Sequence, residues 1–163
     1  MTPRYVLELL LLAAIWGASF IFMRIGSPEF GPILFMALRT LTASLFLLPL
    51  VFITKKQAGF NGYKAKIFIV GIFNTAIPFV LFGYATLTLS SGSTSVLNAT
   101  TPMFAAIVAY LWFRDKMSIS ASFGLLIGFV GVYLLMLDKL TLGQQSILLP
   151  TLAALLASLC YGI

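Results

Sequence analysis

Six apolar runs separated by short polar segments constrain most strongly how this chain can fold. They cover residues 5–25, 33–53, 67–89, 95–113, 119–137 and 147–163. A helix needs about 20 mostly apolar residues to cross the hydrocarbon core of a bilayer. Because the first five runs reach about that length, the sequence predicts an all-α membrane protein built as a bundle of transmembrane helices.

The charge content supports a membrane environment. Only 9% of the residues are charged and 61% are hydrophobic, whereas a soluble domain carries about 25% charged residues. The net charge of +6 does not indicate nucleic acid, because the basic residues lie between apolar runs and not in one patch. We therefore expect the lipid bilayer, and no nucleic acid, as a partner.

The basic residues also predict an orientation. Seven of the ten fall on one side of the predicted bundle and two on the other. Cytoplasmic loops retain an excess of lysine and arginine, so the N-terminus is expected in the cytoplasm of a multi-pass protein of the cell (inner or plasma) membrane. The seven are Arg4, Lys55, Lys56, Lys64, Lys66, Arg114 and Lys116, and the two are Arg24 and Lys139.

Polar and aromatic side chains within the first, third and fourth runs predict a substrate cavity, since polar groups inside a membrane are costly. Helical spacing of three and four residues places the polar side chains of the fourth run on one face. The same groups could instead join neighbouring helices, and the aromatic rings could be core or interfacial residues. The candidate residues are Trp16, Ser19, Phe20, Asn74, Pro78, Tyr84, Asn98, Thr101 and Pro102.

Two charged residues lie inside apolar runs. Arg39 stands about 10 Å into the second run, and a structural role is favoured over attraction of an anion. Glu8 is the one carboxylate inside a run and a candidate coupling group, although a hydrated carboxylate near the start of a helix is favoured. In the fifth run, Gly124, Gly128 and Gly131 predict close packing of helices.

Enzyme chemistry is not expected. The chain has no histidine and one cysteine, Cys160, so it has no Cys–His pair for nucleophilic catalysis. The commonest metal ligand is also missing. No glycine-rich loop followed by a lysine is present to hold a nucleotide phosphate. We expect no catalytic residue, no cofactor and no metal.

An aromatic–glycine pair occurs twice, as Trp16-Gly17 in the first run and as Tyr161-Gly162 in the sixth. Because five helices separate the copies, an odd number, a second repeat would be inverted in the membrane, as in many transporters. Residues 1–140 are therefore expected to form one five-helix repeat. Residues 141–163 are expected to form a loop and the truncated first helix of a second repeat, unless the protein is naturally short.

Several short features follow one another along the chain. Trp16, Gly17 and Phe20 come first, then Arg39 before a leucine-rich stretch, then residues 83–85, 102–104 and 115–116, and last a glycine-rich segment. In this order they resemble the EamA-type family of the drug/metabolite transporter superfamily. The resemblance implies ten helices in two inverted repeats and the export or exchange of small metabolites.

These observations predict a secondary transporter that moves a small neutral or zwitterionic metabolite or drug by alternating access. The uncharged polar stripe of the fourth run favours such a solute over an ion. The alternative is a noncatalytic helical module that functions only when it assembles with a second half or, as a homodimer, with a second copy.

Overall fold

A computed structural model describes residues 3–54, 62–114, 117–141 and 147–163. In these ranges the chain forms α-helices and one π-helical turn, and no strand. The helices are α1 Pro3–Phe30, α2 Pro32–Ile53, α3 Lys64–Gly71, α4 Ile77–Ala85, α5 Ser91–Asn98, α6 Thr101–Phe113, α7 Ile119–Thr141 and α8 Leu148–Gly162, and the π-helical turn is Ile72–Ala76.

Five helical segments are long and apolar enough to cross a membrane. They are Pro3–Phe30, Pro32–Ile53, Lys64–Ala85, Ser91–Trp112 and Ile119–Leu137, and α8 is a shorter apolar helix. Large aliphatic and aromatic side chains cover much of the outer surface of these segments. A lipid environment favours such a surface, and the prediction of an all-α membrane bundle is confirmed.

The first helix is longer than predicted. The polar segment after the first run does separate two helices, but α1 continues through Pro28 to Phe30 before the chain breaks. The break needs only one residue, Gly31, whose φ of 76° a glycine adopts without the penalty that a side chain brings. Pro32 then opens α2, where its missing N–H costs no helical hydrogen bond.

The polar segment between the third and fourth runs, residues 90–94, is mostly helical, because α5 already begins at Ser91. The Ser90 side chain accepts a hydrogen bond from the backbone N–H of Ser93 at 3.2 Å. A serine in this capping position satisfies one of the free N–H groups at the start of a helix. The turn therefore lies earlier, between α4 and α5.

The third and fourth spanning segments are each interrupted near the middle. The π-helical turn separates α3 from α4 just before Pro78, and residues 99–100 separate α5 from α6 just before Pro102. A proline has no N–H to donate to the carbonyl four residues earlier, and its ring crowds that carbonyl. The affected carbonyls belong to Asn74 and Asn98.

Helix α8 packs against α4, α5 and α6. Small residues on one of its faces, among them Ala154 and Ala157, are fully buried. The Ser158 hydroxyl donates to the carbonyl oxygen of Leu97 at 3.0 Å, next to the break between α5 and α6. The sixth apolar run is therefore part of the core of the bundle.

Candidate functional site

A cavity of about 960 Å³ lies between α1, the π-helical turn, α4, α5, α6 and α8. Binding cavities for small molecules measure about 300–1,000 Å³. Most of its wall is apolar, with a few amide and hydroxyl groups. The lining residues are Leu9, Leu12, Ala13, Trp16, Gly17, Phe20, Asn74, Thr75, Phe79, Ser95, Asn98, Ala99, Thr101, Pro102 and Tyr161.

A second cavity of about 270 Å³ shares part of this wall, including Trp16, Asn98 and Tyr161. It adds Ser19 from α1 and Arg39 from α2. The two cavities thus form one region. Its larger part is mostly apolar with amide groups, and its smaller part includes the cationic side chain of Arg39. We call this region the central cavity.

Two uncharged polar atoms on residues that line the central cavity have no hydrogen-bond partner among the described residues. They are Asn98 Oδ1 and Thr101 Oγ1, and both are shielded from the outside. Buried polar atoms are nearly always hydrogen-bonded, so an unpartnered pair calls for an explanation. A solute that donates hydrogen bonds to them would provide one.

Both asparagines of the cavity wall lie where a spanning segment is interrupted. Asn74 lies in the π-helical turn and Asn98 ends α5, and both line the cavity. Irregular backbone inside a membrane is tolerated where it lines a cavity, and π-helical turns are frequent at functional sites. In both segments an asparagine precedes a proline by four residues. This repeated Asn-x-x-x-Pro spacing indicates the interruptions, and it is missed when each residue is considered singly.

Aromatic rings form one side of the central cavity. Phe20 meets Phe82 edge to face at 5.7 Å between ring centroids, and Phe82 stacks on Tyr161 at 5.9 Å. Such pairs add to the stability of the packed rings. The rings of Phe82 and Tyr161 are wall residues that sequence inspection did not single out, although Tyr161 belongs to the repeated aromatic–glycine pair.

Arginines on α1 and α2 use their charge differently. Arg24 donates from Nη1 to the carbonyl oxygens of Thr86 and Leu87, the latter at 2.7 Å, and so caps the C-terminal end of α4. Arg39 is half-buried, and its guanidinium carbon lies 4.8 Å from the centroid of the Phe79 ring. The capping role of Arg24 was not predicted.

Other candidate residues lie outside the central cavity. Pro78 is buried behind its wall, and Tyr84 is exposed near the end of α4 and lines neither cavity. Glu8 is exposed and accepts a hydrogen bond from Arg4 at 2.9 Å. These placements give Tyr84 and Glu8 no contact with a solute in the central cavity.

The glycines of α7 differ in their surroundings. A side chain at Gly128 would meet the end of Met103 on α6, whereas among the described residues nothing lies within 4 Å of such a position at Gly124 or Gly131. Close packing at Gly124 and Gly131 stays a prediction.

Within the described ranges no group of three metal-ligating side chains occurs. The lining residues supply amide, hydroxyl, guanidinium and aromatic groups. Such groups are able to bind and orient a small molecule, and none of those that line the cavity forms a nucleophile–base pair. The arrangement therefore has the chemistry of a binding site.

A multi-pass α-helical membrane protein with a solute-sized, mostly apolar cavity between interrupted helices has the architecture of a membrane transporter. Residues 4–137 match the EamA-like transporter family, and the chain belongs to that family. The family resemblance noted in the sequence and the prediction that the chain is not an enzyme are both confirmed.

Curated relatives agree with this assignment. The chain is 26% identical to an uncharacterized transporter, YoaV, of Bacillus subtilis (strain 168), over 98% of this chain and 55% of the relative. It is 29% identical to an uncharacterized transporter of Buchnera aphidicola subsp. Schlechtendalia chinensis, over 97% and 52%. The chain spans about half the length of these relatives. No solved structure matches it.

Proposed function

We propose that this chain is part of a secondary transporter that moves a small neutral or zwitterionic solute by alternating access, as an exporter or exchanger. The solute would occupy the central cavity. The observation that carries the proposal is the pair of buried, unpartnered polar atoms, Asn98 Oδ1 and Thr101 Oγ1, on residues that line this cavity. Its volume and mostly apolar wall support a small organic solute.

The interrupted helices support alternating access. Broken helices near the middle of the bilayer often hold the solute in secondary transporters, because their free backbone groups are available for binding. Here the breaks at residues 72–76 and 99–100 lie on neighbouring segments of the same cavity. A solute bound between them would contact segments able to move relative to one another.

The arrangement in the membrane is part of the proposal. The excess of basic residues on one side supports a cytoplasmic N-terminus in the cell membrane. Trp16 and Tyr161, the aromatic residues of the repeated pair, line the same cavity, which supports an inverted second repeat that begins with α8. A second half or a second copy of the chain would then complete the cavity.

Transport into liposomes tests the proposal. The purified chain is reconstituted and incubated with labelled amino acids, nucleosides and amines. We expect uptake of at least one solute above that of empty liposomes. Asn98→Leu should reduce this uptake by roughly tenfold, because it removes a hydrogen bond and leaves the solute's donor unpaired.

Thr42→Val is the matched control for Thr101→Val. Both substitutions exchange a hydroxyl for a methyl group, but the exposed Thr42 bonds the carbonyl of Leu38 in its own helix at 2.8 Å and lies outside the cavity. Only Thr101→Val should slow transport. No uptake of any solute would contradict transport by this chain alone or as a homodimer, and full uptake by Asn98→Leu would contradict the role given to the central cavity. The size of the protein in detergent shows whether one or two copies are active.

A further inference from the structure

Arg39 is the one cationic side chain that lines the central cavity among the described residues. Its Nη1 atom is buried and has no hydrogen-bond partner in the described part of the chain. Arg24 satisfies the same kind of group with two backbone carbonyls. Arg39 therefore does not join helices through carbonyls, as a structural arginine in a membrane would.

The charge of Arg39 lacks a counter-ion in the described structure. No aspartate or glutamate lines either part of the central cavity, and Glu8 is paired with Arg4. The face of the Phe79 ring offsets part of the charge, since a guanidinium is attracted to the electrons of an aromatic face. Nη1 has no acceptor among the described residues, so an anion could supply one.

Resting on the function proposed above, we propose that the transported solute is a carboxylate and that Arg39 binds its carboxylate group. A guanidinium fits a carboxylate with two parallel hydrogen bonds. Phosphate carries more charge at neutral pH, and a lone guanidinium in an apolar wall neutralises it less well than it neutralises a monoanion.

The rest of the cavity limits the solute further. Asn98 lines both parts of the cavity, and its Oδ1 atom is an acceptor without a donor among the described residues, so it suits an N–H or O–H group of the solute. The rings of Trp16, Phe20 and Phe79 surround the remaining space. The complementary solute has a carboxylate, a nearby hydrogen-bond donor and an apolar body.

The chain has two tryptophans, and this gives a direct binding assay. Trp16 lines the cavity, whereas Trp112 is exposed at the far end of α6. In the Trp112→Phe variant, fluorescence reports on Trp16 alone. We would titrate this protein with L-leucine, with 4-methylpentanoate, which lacks the amino group, and with L-leucinamide, which lacks the carboxylate.

Leucine and 4-methylpentanoate should give saturable changes, and leucinamide should bind roughly tenfold more weakly or not at all. Arg39→Gln should abolish the preference, Arg39→Lys should keep part of it, and Arg4→Gln, an exposed control, should keep all of it. If Arg39→Gln does not fold, the comparison of leucine with leucinamide on the unchanged site decides alone.

Equal binding of leucine and leucinamide would overturn the proposal, as would binding of none of the three compounds at millimolar concentration. Retention of the preference in Arg39→Gln would overturn it too. The proposed transport function is tested by a different result from the carboxylate proposal. If liposomes with the chain take up a nucleoside in an Asn98-dependent way while no carboxylate binds, the carboxylate inference is wrong and the transporter proposal stands.

Discussion

Arg24 and Arg39 lie on neighbouring helices, yet their guanidinium groups have different surroundings. Arg24 is exposed at the end of a spanning segment and completes the hydrogen bonding of another helix. Arg39 is half-buried and lies over an aromatic ring beside a cavity. Because charge inside a membrane is costly, the position of each arginine is informative: Arg24 caps a helix, and Arg39 carries the binding role proposed above.

Removal of the Arg24 cap should destabilise the protein. Arg24→Gln loses two charge-assisted hydrogen bonds to the carbonyls of Thr86 and Leu87 and the favourable position of a cation at a helix C-terminus. Since such bonds contribute about 1.5–3 kcal/mol when shielded and these are partly exposed, we expect a loss of about 1 kcal/mol. Thermal unfolding in detergent measures the loss.

Arg4→Gln is the control for this loss. Its ion pair with Glu8 is exposed on both sides, and exposed ion pairs contribute little. The unfolding temperature of Arg4→Gln should stay close to that of the unchanged chain. If both variants unfold at the same temperature, Arg24 does not act as a cap.

At the level of the helices, breaks near prolines position the polar groups of the cavity. Pro102→Ala supplies an N–H for the carbonyl of Asn98 and should join α5 and α6 into one helix. Because Pro102 stands in the first turn of α6, where a proline costs little, the gain comes only from the restored hydrogen bond, and we expect a slightly higher unfolding temperature. We also expect slower transport, since a continuous helix would change the direction in which the side chains of Asn98 and Thr101 point. Unfolding and liposome uptake measure the two effects.

Pro49→Ala separates these effects, because Pro49 lies inside α2, is exposed and lines neither cavity. This variant should also unfold at a higher temperature but should transport at the normal rate. A lower unfolding temperature for Pro102→Ala, or normal transport by it, would contradict the role given to the break.

The close packing of α8 against α6 depends on a glycine, Gly162. A side-chain carbon added at Gly162 would lie 2.8 Å from the backbone nitrogen of Ala105, and backbone atoms cannot move aside as a flexible side chain can. Gly162→Ala should therefore destabilise the bundle by about 1–3 kcal/mol, measured by thermal unfolding. Gly131→Ala, with open space around it among the described residues, should have no such effect, and an equal loss would contradict this explanation.

Sequence patterns predicted most of the helices, and they missed some helix ends and contacts for physical reasons. Hydrophobic length predicts the spanning segments, because every helix that crosses a bilayer needs about the same length. The end of α1 was placed too early, since Pro28 is a helix breaker by propensity but remains within the helix. The contacts of Phe82, Tyr161 and Arg24 depend on the packing of distant helices, which local patterns do not encode.

For the molecule as a whole, α8 lies outside the matched family region but packs into the same bundle. Residues 4–137 match the family, yet the helix after them supplies Tyr161 to the cavity and Ser158 to the break between α5 and α6. The matched region alone therefore does not enclose the cavity. This arrangement is consistent with relatives about twice as long, in which further helices would cover the remaining sides.

The orientation of the whole molecule can be tested by labelling single cysteines. Cys160 is the one native cysteine and is buried, so Cys160→Ala provides a background without it. Glu29 and Thr88 are exposed beside loops expected outside the cell, and Tyr63 and Ser118 are exposed beside loops expected in the cytoplasm. Each is replaced by cysteine in turn and treated with a maleimide that does not cross membranes.

The positive-inside rule places the N-terminus in the cytoplasm, and this fixes the expected labelling. Cysteines at positions 29 and 88 should react in intact cells, because their loops would face the outside. Cysteines at positions 63 and 118 should react only after the membrane is opened, because the basic segments beside them hold those loops inside. The reverse pattern would overturn the orientation. Labelling of all four positions in intact cells would show both orientations, and the loop charges would then not determine how the bundle inserts.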